Sequence, residues 1–403
     1  MNITLITPGG VDKSGRERVV PALLWLIERL TQEHKVLVIA LHQYPEFTRY
    51  RLLGADVVNL GLIRGRVTEL KLLTRLRQLR HAFQLTHHQP DLIHIIGLGE
   101  SGLLGAIASR LWRVPALGSI WSGEMVWLPD IQYGGQKNWR TRLPITLTRQ
   151  FVKTITGGSH YVLHQLQGGN HPSPVPETPM PQAADNDQLR GTFGNEVPLA
   201  PAYWLPLGVD TAQFTPLNRP FGPPWRFVHV ANLNPVKDQS MLLRAMCRLM
   251  DAGLDFHLDV VGFDTLRGRV QIEARILNLT DRVHFYGYKP VKQLIPFYQR
   301  AHLFLQSSLH ESQGVALLEA AATGVPTVGT AVGLVPELAP TAAVAVPPGD
   351  DMALATAILA VVQNKNWWSE LGAAAAAFAH TYNADWTAQQ FQQLYAQKKQ
   401  GII

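Results

Sequence analysis

The chain repeats one local pattern along most of its length: a short run of aliphatic and β-branched residues, then a stretch whose apolar residues recur at helical spacing. Ile3 to Thr7, Lys35 to Leu41 and Asp91 to Ile96 are runs of the first kind; Val19 to Leu30 and Ser101 to Leu111 are stretches of the second. Such alternation predicts parallel strands joined by helical crossovers, because a parallel neighbour is reached only by carrying the chain back along the sheet. Leu92-Ile93-His94-Ile95-Ile96 has almost no polar alternation, as expected of a strand covered on both faces. The expected class is α/β.

The pattern breaks once. Between Gly168 and Pro201 seven prolines (172, 174, 176, 179, 181, 198 and 201) fall in a segment without sustained period, which predicts a surface excursion and linker over 170–201. A second series follows: a strand at Arg226 to Val230, a helix at Gln239 to Met250, strands at His257 to Val261 and Val283 to Tyr286, then closing helices at Ala373 to Phe378 and Asp385 to Gln397. Trp386 and Tyr395 are the apolar anchors of the last. With 403 residues, two similar domains are expected, over 1–205 and 206–382, with a terminal helical segment at 383–403.

Several classes drop out on composition. The single cysteine, Cys247, excludes an intramolecular disulfide and any multi-cysteine metal site, and fits a reducing, cytoplasmic setting. Met1 to Thr7 reads as a first strand, not an export signal, and Arg110, Arg113, Glu124 and Glu337 interrupt the longest apolar candidates for a membrane span. Charge is uneven: residues 1–150 carry nineteen Lys or Arg against eleven Asp or Glu. Arg64, Arg66, Lys71, Arg75, Arg77 and Arg80 cluster where Leu72, Leu76, Leu79 and Phe83 recur at helical spacing. That segment is either a core-facing helix with a solvated face or a contact for anionic lipid or an acidic acceptor, the latter implying peripheral membrane association. Nucleic acid is not expected, since exposed aromatics are not interleaved with the cations.

Three motifs carry candidate chemistry. Gly97-Leu98-Gly99-Glu100-Ser101-Gly102 follows a strand and opens a helix, with Glu124 twenty-two residues beyond, and so matches the dinucleotide fingerprint literally. A dinucleotide-dependent oxidoreductase is one reading; an ordinary glycine-rich turn is the other. The second motif runs from His310-Glu311-Ser312-Gln313-Gly314-Val315-Ala316 to Glu319. Here two carboxylates bracket a predicted helix start near Gly314, Glu311 in the loop before it and Glu319 about 7 Å along the axis beyond it. Free amides at a helix start favour phosphate, and flanking carboxylates suit sugar hydroxyls, which is the order of groups in a nucleotide sugar. Third, His160 and His164 stand four apart, but no third ligand has matching spacing, so no metal is expected.

The second motif belongs to a longer signature. Ser307-Ser308-Leu309-His310-Glu311 through Val328, with Val332-Gly333-Leu334-Val335-Pro336-Glu337, Leu207-Gly208-Val209-Asp210, Val230-Ala231-Asn232-Leu233 with Lys237, and Asp281 through Tyr288, resembles the glycogen-synthase-like retaining glycosyltransferases of family four. The resemblance implies a GT-B architecture: two Rossmann-like α/β/α domains facing across a cleft, the final helix crossing back onto the first. It implies an acceptor side at 1–205, a nucleotide-sugar side at 206–382, and hexosyl transfer with retention to a hydroxyl acceptor, with no cofactor or metal.

By the same resemblance Glu319 binds the donor ribose and Glu311 contacts the transferred sugar. Amides of Gln313, Gly314, Val315 and Ala316 receive sugar and phosphate oxygens, Tyr288 and Lys289 lie near the base, and Lys237 neutralises the diphosphate. A glycine-rich turn after the first strand is expected at Ser14-Gly15, in preference to Pro8-Gly9-Gly10. Two departures stand out: Asn232 occupies the place of a family arginine on the diphosphate, and Trp121 that of a family histidine. They leave room for a catalytically degenerate binding protein of the same fold.

Overall fold

The computed structural model describes residues 1–63, 68–166 and 202–402. The first sheet is built from β1 (Asn2–Thr7), α1 (Pro21–Glu33), β2 (Lys35–Ala40), β3 (Thr48–Leu52), β4 (Ala55–Asn59), α2 (Thr68–Leu85), β5 (Leu92–Ile96), α3 (Glu100–Trp112), β6 (Ala116–Ile120), α4 (Trp139–Phe151), β7 (Ile155–Gly157), α5 (His160–Leu166) and β8 (Ala202–Trp204). Its strand order is β3-β4-β2-β1-β5-β6-β7-β8, and every pairing is parallel except β3 with β4. That edge hairpin was not foreseen. Its two-residue turn, Leu53-Gly54, has positive φ at both positions, the conformation that matches the twist of paired strands.

The second sheet follows with β9 (Trp225–Val230), α6 (Gln239–Asp251), β10 (Phe256–Val261), α7 (Arg269–Ile276), β11 (Val283–Phe285), α8 (Val291–Arg300), β12 (Leu303–Gln306), α9 (Val315–Ala322), β13 (Thr327–Thr330), α10 (Val335–Leu338) and β14 (Ala343–Val346). The order is β11-β10-β9-β12-β13-β14, parallel throughout. Helices α11 (Asp351–Val362), α12 (Lys365–Thr381) and α13 (Ala384–Lys399) complete the chain. The architecture is GT-B: two parallel-sheet lobes, with helices on both faces of each.

The two lobes share one apolar core. A single buried cluster joins Leu5, Leu23 and Ile27 of the first lobe to Leu205, Val209 and Phe214 of the connection, Phe304 and Leu318 of the second lobe, and Phe391 of α13. Helix α13 lies against α1. From it Tyr395 reaches His94 on β5 (2.7 Å), Lys398 reaches Thr154 (2.7 Å) and Lys399 pairs with Asp91 (3.1 Å). The final helix therefore does cross back to the first lobe.

The basic segment takes the first of its two expected forms, with one residue departing from it. Leu79 is wholly buried against the sheet, so the basic segment 68–85 is a core-facing helix. Arg75 has left its solvated face and turns inward, donating to the Gly61 carbonyl (2.8 Å) and pairing with Glu100 (3.3 Å). Arg64, Arg66 and the proline-rich stretch 170–201 lie outside the described residues. Among the described residues no helix is long and apolar enough to cross a membrane.

Candidate active site

In each sheet the strand order reverses beside the first strand, between β1 and β5 and between β9 and β12. Loops leaving the carboxyl ends of such a strand pair diverge to opposite faces and open a crevice. In the second lobe those two loops carry Lys237 and Glu311. Asn234 accepts from the Lys237 amide, and Asp238, at positive φ, caps α6 through Met241, so the lysine sits in a single fixed turn between β9 and that helix. Ser307 donates to the Lys237 carbonyl (2.7 Å), and the Leu309 amide to the Val236 carbonyl (2.8 Å), tying the two loops together.

The Lys237 ammonium donates to Glu311 Oε1, which also accepts from the Ser308 hydroxyl at 2.7 Å. Burial alone pushes the Glu311 carboxyl up, but the Lys237 charge, its hydrogen bond and the Ser308 hydroxyl together hold it below the ordinary range. Lys237 and Glu311 thus form a charged pair at the crevice. Gly314 caps α9 at φ +94°, a conformation that favours glycine, and no side chain caps this helix. Val315 and Ala316 form its half-exposed first turn, so the helix start presents amides and a partial positive charge beside Lys237.

Glu319, on the same helix, is buried and accepts from Tyr298 Oη of α8 at 2.6 Å. Burial pushes its carboxyl up to about 7, with the tyrosine hydrogen bond opposing. The Gln313 side chain, to which the sequence assigned no role beyond that of its backbone amide, is structural. Its carboxamide pairs with both the amide and the carbonyl of Leu207, each at 2.8 Å, welding the loop to the connection between lobes. Gly333, at φ +63°, lets a second backbone approach: a Cβ there would stand 2.4 Å from the Gln313 carbonyl and 2.8 Å from Glu311 Cβ.

Across the crevice, Ser14 and Gly15 form an exposed turn that satisfies itself. The Gly15 amide donates to the Asp12 carbonyl, the Ser14 amide to the Asp12 carboxylate, and the Arg16 and Glu17 amides to Ser14 Oγ. In the competing Pro8-Gly9-Gly10 turn, the Gly10 and Val11 amides are taken by Gln43 Oε1. Tyr288 donates to the Arg16 carbonyl at 2.6 Å, bringing the candidate base-binding loop onto this turn. Lys289 is half-buried just before Pro290, the cap of α8. Asn232 Oδ1 accepts from the Phe263 amide (3.2 Å), so its side chain braces the loops after β9 and β10. Trp121 is partly buried against the shared core.

The glycine turn after β5 serves the protein itself. Glu124 accepts from the Leu98 and Ser122 amides, and its Oε1 lies 3.1 Å from where a Gly97 Cβ would stand. A carboxylate already over those amides occupies the position a pyrophosphate would need, which removes the geometric basis for the oxidoreductase reading. His94 is fully buried between Tyr395 and Ser119, both at 2.7 Å, and burial pushes it down to about 3. It is a packed strand histidine. His160 stacks on Trp204, and among the described residues no three His, Cys, Asp or Glu side chains are grouped to hold a metal.

Sequence reasoning missed three groups. His310 is 2% exposed, and its ring faces Tyr133 and Tyr161 of the first lobe at 6.0 and 5.7 Å. Burial pushes it down to about 4, so it is neutral at pH 7. Glu337 reaches into the other lobe, accepting from the His160 amide and from Trp204 Nε1 (2.9 Å), and burial raises it to about 8. Asp12 holds the first crevice loop through Tyr44 and Arg18; its hydrogen bonds outweigh burial and lower it to about 2. His310 and Glu337 meet partners in the other lobe, and Asp12 meets Tyr44 thirty-two residues on, which no local spacing reveals.

Comparison with known proteins agrees with this architecture. The model of the Glycosyl transferases group 1 family matches residues 216–378, and that of the Glycosyl transferase 4-like domain matches residues 19–162. Over 162 residues the chain is 35% identical to a phosphatidylinositol N-acetylglucosaminyltransferase subunit from Arabidopsis thaliana, covering 38% of this chain and 36% of that protein. Over 168 residues it is 30% identical to the putative colanic acid biosynthesis glycosyltransferase WcaL of Escherichia coli, covering 39% and 41%. The chain thus spans well under half the length of these curated relatives. In structure it is similar to sucrose-phosphate synthase from Thermosynechococcus elongatus (TM-score 0.76, 20% identity, 98% and 99% coverage) and to Anabaena HepE in complex with UDP and glucose (0.70, 18%, 98% and 99%). With the Glycosyl transferases group 1 model on the second lobe, the Glycosyl transferase 4-like model on the first and the GT-B topology throughout, both lobes of the chain are glycosyltransferase family domains.

Proposed function

We propose that the chain is a retaining glycosyltransferase that moves a hexosyl group from a nucleoside-diphosphate sugar to a hydroxyl acceptor, without a bound metal, in the cytoplasm. The observation that carries this reading is the Lys237–Glu311 pair at the crevice of the second sheet, beside the uncapped start of α9. An ammonium and a helix start together suit a departing diphosphate. Glu311, held ionised by Lys237, positions the transferred sugar, while Glu319 takes the ribose and Tyr288 with Lys289 the base. In the reaction the bond from the anomeric carbon to the diphosphate breaks and the acceptor oxygen bonds to that carbon on the same face. The acceptor proton passes to the departing phosphate, so no protein nucleophile is needed.

UDP in the HepE structure supports uridine diphosphate sugars as the first donors to try. The test is release of nucleoside diphosphate from a panel of UDP-, GDP- and ADP-sugars, with and without acceptors, followed by the anomeric configuration of the product. Turnover that falls in Glu311→Gln and Lys237→Met is expected. No turnover with any donor, together with no thermal stabilisation by the matching diphosphates, would overturn the reading and leave a degenerate binding protein.

A further inference from the structure

We infer that the start of α4 and the loop before it form a docking surface for an anionic lipid bilayer, which, on the glycosyltransferase reading, brings a lipid-anchored hydroxyl acceptor to the cleft. Trp139 is 68% exposed and Leu143 48% exposed, one helical turn apart. Large apolar side chains on a helix start cost solubility unless something covers them. Around them sit the exposed Lys137, Arg140 and Arg142, with Lys137 over the Trp127 ring (5.6 Å) and Arg140 over Trp139 (5.5 Å). No Asp or Glu occurs from Ile131 to Pro176, whereas five Lys or Arg do.

The charge runs against the helix's own preference. A helix amino terminus favours acids, yet the first turn of α4 has none and carries Arg140 and Arg142. An asparagine capping box at Asn138 holds the start in place all the same. Indole and leucine seated at the headgroup level, ringed by cations, match an anionic interface. Helix α2 still exposes Arg77 and Arg80 but has turned Arg75 inside the lobe, so the two faces are set against each other in the test.

Topology sets the consequence. Helix α4 returns to β7, so its start lies at the carboxyl edge of the sheet, where the crevice opens. The same loop carries Tyr133, whose ring faces His310 beside Glu311. One segment therefore runs from the reaction crevice to the proposed lipid surface.

The experiment is sedimentation of the whole chain with vesicles of phosphatidylcholine alone or mixed with phosphatidylglycerol, with tryptophan emission read in parallel. Binding only to the anionic vesicles is expected, weakening with salt and shifting the emission to the blue. At about fivefold per basic side chain, Arg140→Gln with Arg142→Gln costs about thirtyfold in partitioning. Trp139→Ser removes most of the blue shift, while Arg77→Gln with Arg80→Gln on α2 leaves binding unchanged. Equal binding of the α4 variants, no preference for anionic vesicles, or loss only with the α2 pair would overturn the inference. So would equally tight binding to RNA. Diphosphate release from soluble donor is measured on the same variants. Vesicle binding without release sinks the transferase reading alone; release without vesicle binding sinks the docking surface alone.

Discussion

Gln313 offers the sharpest separation between a substrate contact and a structural weld. Its carboxamide satisfies the Leu207 amide and carbonyl at once, is 5% exposed, and lies against Gly158, where a Cβ would stand 2.1 Å from its oxygen. Gln313→Ala leaves two buried backbone groups unpaired, at about 1–3 kcal/mol each, so a loss of about 2–6 kcal/mol is expected. For units of this size each kcal/mol shifts the midpoint by about 2–4 °C, so a loss near about 3 kcal/mol lowers it by about 6–12 °C. Scanning calorimetry or dye-monitored melting reads this directly. Gln313→Glu, which sets two oxygens against each other at Leu207, is expected to do no better. A midpoint within about 2 °C of wild type, combined with a raised KM for donor, would refute the weld and place the side chain at the donor site instead.

The remaining predictions concern charge and backbone. Lys237→Met leaves Glu311 buried without its ammonium, raising the carboxyl; diphosphate release is expected to fall about 100-fold or more, and its acid limb to move to higher pH. Glu319 titrates near 7 folded against 4.5 in the unfolded chain, so its contribution to stability is fully present below 4.5 and is lost as pH rises through about 7, amounting to about 3 kcal/mol. Urea midpoints between pH 5 and 8 should therefore fall more steeply for wild type than for Glu319→Gln; parallel profiles would contradict the burial argument. Gly333→Ala, forced to positive φ and against the Gln313 carbonyl, is expected to cost about 2–4 kcal/mol and to displace Glu311, which melting and diphosphate release test together.

Much of the architecture was legible because its causes are local. Unalternating runs such as Leu92 to Ile96 and the periodic helices between them call for a parallel sheet, and Gly314 before an apolar helix marks a helix start. The resemblance placed Lys237 and Glu311 at one donor site, but their direct pairing was not legible, since seventy-four residues separate them and the reversal of strand order brings them together. What stayed hidden depended on the other lobe: Gln313 on Leu207, Glu337 on the His160 amide, His310 between two tyrosine rings. The edge hairpin was missed because Leu53 adopts positive φ without being one of the residues that advertise it. Arg75 was misplaced because helical spacing says which face a residue shares, not whether a long side chain folds back beneath its helix.

The position of α13 has a consequence for how the polypeptide comes off the ribosome. His94, in the middle of the first sheet, finds its tyrosine partner only in Tyr395, and Phe391 fills the apolar space beside it. The first sheet, though synthesised first, lacks this partner until α13 has been made, 301 residues after His94. A chain lacking α13 would carry an open apolar seam along α1, the kind of surface that makes partly folded species prone to aggregate.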